Sequence, residues 1–185
     1  MNKSIKLVGV GGQGTILATK ILCSALIDAG YDVKMSEIHG MSQRGGSVSS
    51  EIRFGDKVFS PVIEKGHADI LVAFEQMEAA RYMNYLKKDG VLIVNDYSIN
   101  SMVTLSGKVP YPKDIIDTLQ QQVQTIVIDA HNQAEALGNP KVMNVIMLGA
   151  IVKAMKLEHL DFIQAIKDNV KEQYIDINIK ALAVG

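Results

Sequence analysis

Residues 37–46 combine functional groups that neither a hydrophobic core nor a simple surface turn requires. The segment supplies a carboxylate, an imidazole, a hydroxyl, an amide and a guanidinium. These groups belong to Glu37, His39, Ser42, Gln43 and Arg44. Among the remaining residues, Met41 offers a soft thioether contact, and three glycines allow backbone angles that most residues avoid: Gly40, Gly45 and Gly46. We therefore predict a functional loop that contacts a ligand or a partner.

A second glycine-rich segment, residues 9–14, lies upstream and reads Gly-Val-Gly-Gly-Gln-Gly. It fits G-x-G-x-x-G between a predicted strand and a predicted helix, where backbone N–H groups approach a phosphate. Three interpretations stay open: a nucleotide or phosphate site with Glu37 as the ribose-binding acid, a tight turn, or a surface that faces another subunit. The bulky Gln13 and the crowded sequence after Glu37 weigh against the nucleotide site. The candidate residues of this loop are Gly11, Gly12, Gln13 and Gly14.

Apolar runs beside these loops predict the elements that position them. Residues 5–10 are expected to form a strand, 15–29 a helix and 31–38 the next strand of a parallel sheet. In consecutive β-loop-α units both loops lie at the carboxyl edge of the sheet, so we expect the two segments to lie close together. Alternating apolar residues from Val48 onward, followed by a Gly-Asp turn, predict an antiparallel β-hairpin near residues 46–63.

Strands and helices alternate through the rest of the chain. Strands are expected at 68–74, 91–95, 104–110 and 125–129, and helices at 76–88, 112–121, 131–137, 142–155, 160–170 and 176–182. The helix at 142–155 is apolar nearly all round, which predicts burial on several sides. The sequence therefore predicts one α/β domain, residues 1–185, with a mainly parallel, Rossmann-like sheet flanked by helices and an antiparallel hairpin near 46–63.

The composition narrows the class of protein. A formal net charge of −1 lacks the basic footprint of a nucleic-acid-binding protein. The single cysteine, Cys23, has apolar neighbours, and one thiol cannot form an intrachain disulfide or a cysteine-ligated zinc or iron–sulfur site. No segment has the pattern of a transmembrane helix or a signal peptide. We expect a cytoplasmic protein that has no nucleic-acid or membrane partner and binds no metal by itself.

The two loops together resemble a known family. Residues 9–14, followed by 37–55 with the run His-Gly-Met-Ser-Gln-Arg-Gly-Gly, resemble the small (beta) subunit of indolepyruvate:ferredoxin oxidoreductase. More broadly, they are similar to the gamma subunit or gamma domain of 2-oxoacid:ferredoxin oxidoreductases. Residues 68–75 and 144–150 are similar to this family as well, so the resemblance covers essentially the whole chain.

This resemblance implies an enzyme complex that decarboxylates an aryl 2-oxoacid and transfers the acyl group to CoA. Thiamine diphosphate with magnesium, and iron–sulfur clusters that reduce ferredoxin, would reside on the large (alpha) subunit. The chain would bind no cofactor and have no activity alone, but would complete the active site or the route that CoA and substrate take to it. The alternatives are a free-standing Rossmann-type NAD(P)- or FAD-binding oxidoreductase domain and a non-catalytic interaction module.

The resemblance also suggests roles for individual side chains. Arg44 is a candidate ligand for a CoA phosphate or a substrate carboxylate, because its planar fork suits both anions. An ion pair with Glu37 or with another subunit is the alternative. His39 is the candidate catalytic residue, as a proton donor or a hydrogen-bond partner of the 2-oxo group, and a loop-bracing imidazole is the alternative. Ser42 and Gln43 are candidate hydrogen-bond donors to a ligand or to the backbone of a partner.

Overall fold

The computed structural model describes residues 2–38 and 46–185, and of Met102 and Val103 only the backbone. Within these ranges the strands form one six-stranded sheet in the order β2-β3-β1-β4-β5-β6. The strands are β1 (Lys3–Val10), β2 (Asp32–Ile38), β3 (Ser47–Gly55), β4 (Ala68–Ala73), β5 (Leu86–Asn95) and β6 (Gln124–Ile128). After β1, the chain forms β2 and β3 on one side of β1, and then β4, β5 and β6 on the other side. The carboxyl ends of β1 and β4 therefore border the kind of crevice in which open α/β sheets bind ligands.

Helices cover both faces of this sheet. They are α1 (Thr15–Asp28), α2 (Gln76–Tyr82), α3 (Met102–Leu105), α4 (Ile115–Gln120), α5 (Ala130–Ala136), α6 (Met143–Met155), α7 (Phe162–Asn169) and α8 (Ile175–Val184). One core joins α1 and α5 to α8 with the sheet face that carries Ile5 and Leu7. The other core joins α2 and α4 with the face that carries Val8 and Leu71. The predicted α/β class with a mainly parallel sheet is confirmed, since β1, β4, β5 and β6 pair in parallel.

The antiparallel part of the sheet differs in detail from the prediction. Strand β3 lies between β1 and β2 and pairs antiparallel with both, so the hairpin is formed by β2 and β3. The expected second arm, residues 57–63, is not a strand. Both edges of β3 are already paired, which leaves no backbone groups for another arm. Instead, the backbone N–H of Val58 donates to Asp32 Oδ2 at 2.8 Å, and that of Ile63 donates to Glu51 Oε2 at 3.1 Å.

Two further element predictions are wrong. The helix expected at 76–88 ends at Tyr82, and a 3-10 turn leads into β5, where Leu86 already pairs with Ala68. Pairing with β4 therefore overrides the helical spacing. The strand expected at 104–110 is replaced by α3 and an irregular segment, because Ser101 Oγ accepts a hydrogen bond from the N–H of Thr104 and starts a short helix.

Helix α6 is buried as predicted. Every residue from 143 to 152 is buried, and Gly149 leaves no room for a side chain because an added Cβ would lie 2.3 Å from the carbonyl oxygen of Leu182. The helix therefore fixes α8 against the core. None of the helices within the described ranges combines the length and apolar character that crossing a membrane requires.

Candidate functional site

The glycine loop, residues 9–14, connects β1 to α1 and has a backbone that requires glycine. Gly12 and Gly14 have φ angles of +105° and +77°, a region that L side chains rarely adopt. Gly14 is also the residue before α1 and lies directly against Asn144 of α6. The Asn144 Nδ2 group donates a hydrogen bond to the Gly14 carbonyl oxygen at 3.0 Å. The buried α6 therefore supports this loop from beneath.

The Gln13 side chain braces the loop internally. Its Oε1 accepts a hydrogen bond from the backbone N–H of Val10 at 2.7 Å, and its Nε2 donates to the carbonyl oxygen of Phe74 at 2.9 Å. These bonds connect the ends of β1 and β4 across the crevice between them. The amide thus holds the loop in shape without a ligand.

The described parts of the two glycine-bearing segments meet at the carboxyl edge of the sheet, where the sequence predicted both loops to lie. The N–H of Gly11 donates a hydrogen bond to the carbonyl oxygen of Gly46 at 2.8 Å. Strands β1 and β2 run in the same direction because β3 is antiparallel to both. Their carboxyl ends and the start of β3 therefore share one edge of the sheet.

A cleft of ≈ 320 Å³ lies on one side of the glycine loop, and we call it the strand-side cleft. It is lined by the loop, the first turn of α1, the end of β2 with Glu37 and Ile38, and residues 48–50 of β3. The Glu37 Oε1 atom is buried and has no hydrogen-bond partner among the described residues. Burial, and to a smaller extent the nearby charge of Glu37, raises the pKa of Cys23 to about 12. Glu37 therefore lines the cleft and has one buried carboxylate oxygen that could accept a hydrogen bond.

A second cleft of ≈ 570 Å³ shares the glycine loop as a wall, and we call it the helix-side cleft. Its other lining residues include Tyr97, Ile99, His131 and Lys141. The rings of Tyr97 and His131 are tilted against each other with centroids 4.5 Å apart. The first turn of α1 borders the strand-side cleft, and Gly14, the residue before α1, lines both clefts. N–H groups at a helix N-terminus favour anions. This edge of the sheet is therefore suited to an anionic group beside an aromatic or apolar one.

A buried carboxylate network lies beside the same edge, and the sequence analysis did not predict it. Glu78, which is 3% exposed, accepts a hydrogen bond from the Ser47 hydroxyl, and its Oε1 lies 3.2 Å from Arg81 Nε. Glu75, which is 1% exposed, accepts hydrogen bonds from the Ile99 N–H at 3.0 Å and from the Tyr111 hydroxyl. The sequence feature that could have indicated this network is the pair of acids, Glu75 and Glu78, directly after a strongly apolar strand.

The structure brings together the candidate residues that it describes. Gly11, Gly12, Gly14, Glu37 and Gly46 lie around the joined loops. The remaining members of the polar loop fall outside the described residues: His39, Gly40, Met41, Ser42, Gln43, Arg44 and Gly45.

Two other polar residues at strand ends have structural partners. Asp96 accepts a hydrogen bond from Gln76 Nε2 at 2.7 Å, and Asp129 caps α5 by accepting from the Asn132 N–H. Both carboxylates are therefore engaged in contacts within the chain.

The chain does not fit a cysteine-ligated cluster. Its one thiol, Cys23, is buried and has a raised pKa, whereas iron–sulfur clusters need several thiolates. Among the described residues, no three His, Cys, Asp or Glu side chains are grouped so that they could hold a metal ion.

Comparison with known proteins gives a consistent result along the whole chain. The indolepyruvate oxidoreductase subunit IorB of Pyrococcus horikoshii is 36% identical over 190 residues, which is 98% of this chain and 93% of that protein. The IorB subunit of Methanothermobacter thermautotrophicus is also 36% identical, covering 100% and 96%. The gamma subunit of a keto/oxoacid ferredoxin oxidoreductase from Geobacter sulfurreducens has a similar structure, with a TM-score of 0.74, 28% identity and coverage of 100% and 94%.

The family match itself spans the described fold. Residues 4–185 match the pyruvate ferredoxin/flavodoxin oxidoreductase family. This range includes both glycine-bearing segments and all six strands, apart from the first residue of β1. The chain belongs to the pyruvate ferredoxin/flavodoxin oxidoreductase family.

Proposed function

We propose that this chain is the small subunit of an aryl 2-oxoacid:ferredoxin oxidoreductase of the indolepyruvate type. The observation that carries the proposal is the full-length similarity to indolepyruvate oxidoreductase subunits, combined with two glycine-bearing segments joined at one edge of the sheet. The complex converts a 2-oxoacid and CoA into an acyl-CoA. Carbon dioxide leaves the acid, the acyl carbon joins the CoA sulfur, the thiol proton is released, and the electron pair passes to ferredoxin.

In this proposal the large subunit carries thiamine diphosphate, magnesium and the iron–sulfur clusters, and ferredoxin docks on the complex. The small subunit contributes the joined loops, which complete the active site or the route to it for CoA and substrate. Both molecules are anionic, and the N-terminus of α1, which follows Gly14 and borders the strand-side cleft, favours an anion. Arg44 would add a charged fork to the same edge, and His39 a proton donor or hydrogen-bond partner for the 2-oxo group.

A free-standing dinucleotide-binding domain is supported less well by the geometry. A bound pyrophosphate would approach the backbone at Gly11, the second glycine of the motif, but the Gly11 N–H donates to Gly46. In addition, β3 lies between β1 and β2, so Glu37 sits two strands away from the glycine loop instead of on the adjacent strand. A backbone donor of the glycine loop is thus already bonded within the chain, whereas a nucleotide site would leave it free for the ligand.

Contact with the large subunit alone is the second candidate role for this edge. Ile16 and Ile38 line the strand-side cleft and are 36% and 59% exposed. An apolar rim around the partly polar cleft suits the surface of another protein, because burying such side chains contributes to association. This role predicts that changes at the edge weaken assembly without changing the kinetics of the complexes that do form.

Reconstitution with the large subunit tests the proposal. The co-expressed complex should reduce a viologen dye or ferredoxin with indolepyruvate only when CoA is present, and the small subunit alone should be inactive. Pyruvate and 2-oxoglutarate, which carry no aryl group, serve as comparison substrates for indolepyruvate. A stable complex that oxidises neither indolepyruvate nor another aryl pyruvate would contradict the proposal.

Arg44→Ala separates the two roles of the edge. If Arg44 holds an anionic ligand, apparent binding should weaken by about 1.5–3 kcal/mol, the usual contribution of a hydrogen bond to a charged group. Arg44→Lys, which keeps the charge but not the planar fork, should recover only part of this loss. Unchanged kinetics in a fully assembled Arg44→Ala complex would exclude the ligand role, and failed assembly would favour the contact role.

A further inference from the structure

Ser47, the first residue of β3, is held by the buried carboxylate of Glu78 in α2. Its hydroxyl donates a hydrogen bond to Glu78 Oε2 and lies 3.3 Å from the hydroxyl of Tyr82. The preceding residue, Gly46, accepts the hydrogen bond from Gly11 that joins the two glycine-bearing segments. A path of direct contacts therefore runs from α2 to the glycine loop.

Glu78 itself is fixed in place. Its Oε1 pairs with Arg81 at 3.2 Å, and its own N–H donates to Glu75 Oε2 at 3.0 Å, which caps the start of α2. Glu75 is held in turn by the Tyr111 hydroxyl. The carboxylate that contacts Ser47 thus belongs to a network of hydrogen bonds and an ion pair.

The burial of this acid carries a cost that its contacts with Arg81 and Ser47 offset only in part. Desolvation, as the largest effect, raises the pKa of Glu78, which means that the surroundings disfavour its charged form. A neutral amide of similar shape would fill the same space without that cost. The charged carboxylate, however, accepts a stronger hydrogen bond from the Ser47 hydroxyl than an amide oxygen does.

We propose that Glu78 is a positioning residue of the joined-loop site: its carboxylate holds Ser47 and, through Gly46, sets the hydrogen bond to Gly11. The proposal rests on the proposed function, in which this edge contacts CoA or the 2-oxoacid. It gives the site a dependence on pH, because a protonated Glu78 accepts a weaker bond from Ser47. The titratable groups near Glu78 are Arg81, Glu75 and Tyr111, and Tyr82 contacts the same Ser47 hydroxyl.

Kinetics of the assembled complex test the proposal. Glu78→Gln and Ser47→Ala should each raise the KM for CoA or for the 2-oxoacid by about tenfold, the effect of losing one charge-assisted hydrogen bond. The double variant should be little worse than either single variant, because both remove the same interaction. Glu64→Gln, whose side chain is 83% exposed, is the matched control and should leave both KM values unchanged.

The pH profile distinguishes positioning from a purely structural role. In the wild type, the KM should rise as the pH falls through the titration of Glu78, and in Glu78→Gln this part of the profile should be flat. A Glu78→Gln complex with wild-type KM values and a wild-type pH profile would overturn the proposal, even if the variant were less stable.

Hydrogen exchange on the small subunit provides a readout that does not need activity. The Gly11 amide should exchange faster in Glu78→Gln and in Ser47→Ala, and at the wild-type rate in Glu64→Gln. If the complex proved inactive with aryl pyruvates, the proposed function would fail, but this exchange rate would still decide the role of Glu78. If Glu78→Gln did not fold, Ser47→Ala would decide it, and an unchanged Gly11 exchange rate there would overturn the proposal.

Discussion

Replacing Gly14 by alanine should destabilise the chain through two separate effects. Gly14 has a φ angle of +77°, and a left-handed backbone costs a residue with a Cβ roughly 1–2 kcal/mol. The new Cβ would also lie 2.6 Å from Asn144 Nδ2 and would displace the amide that donates to the Gly14 carbonyl oxygen. Leaving this buried amide unpaired costs about 1–3 kcal/mol. The free energy of unfolding should therefore fall by about 2–5 kcal/mol.

Gly30→Ala is the matched control. Gly30 has a similar φ angle of +88°, but an added Cβ would meet nothing within 4 Å. Only the backbone effect remains, so this variant should lose about 1–2 kcal/mol. Urea denaturation followed by circular dichroism measures both variants, and the chain has no tryptophan to report by fluorescence.

The difference between the two glycine variants isolates the contribution of Asn144. In an Asn144→Ala background, the cost of Gly14→Ala should fall close to that of Gly30→Ala, because the displaced amide is gone and only the 3.3 Å contact with the Cβ of residue 144 remains. Equal destabilisation by Gly14→Ala and Gly30→Ala in the wild-type background would refute the conclusion that α6 supports the glycine loop through this contact.

Three further predictions concern the core. Ile146→Ala should lower the free energy of unfolding by about 2–5 kcal/mol through a cavity in α6, whereas Ile163→Ala, at a position 48% exposed, should have a much smaller effect in the same denaturation assay. Lys6 is 1% exposed, and its Nζ lies 2.5 Å from Glu51 Oε1. Glu51→Ala should therefore lower the free energy of unfolding by about 3–5 kcal/mol, because it leaves a buried charge unpaired. A Glu51→Ala variant as stable as the wild type would contradict this. Cys23, with its pKa raised to about 12, should resist thiol reagents at mildly alkaline pH in the folded chain and react after denaturation, as mass spectrometry would show.

The sequence alone was enough to predict the elements whose pattern is local. Helix α1 begins at Thr15 as predicted, because apolar residues recur at helical spacing directly after a glycine loop. The all-round apolar character of α6 likewise predicted its burial. The family could be identified in the same way, because the glycine loop and the polar loop are continuous stretches of sequence.

Tertiary structure decided the features that depend on residues far apart in the chain. Strand β3 lies between β1 and β2, and residues 57–63 are not a strand, because alternation shows that a segment is a strand but not which strands it pairs with. The same holds for Leu86, where pairing with Ala68 prevailed over a helical pattern.

For the candidate site as well, the sequence predicted some features and only the tertiary structure showed others. The residue types of the two loops suggested a shared functional edge, and the Gly11–Gly46 hydrogen bond places their described parts together. The sequence could not show that the Gln13 amide is used to brace the loop, or that Glu78 reaches Ser47 from a helix 31 residues away. Hydrogen-bond partners and burial are set by the packed fold, so a polar residue's role becomes clear only when its three-dimensional neighbours are known.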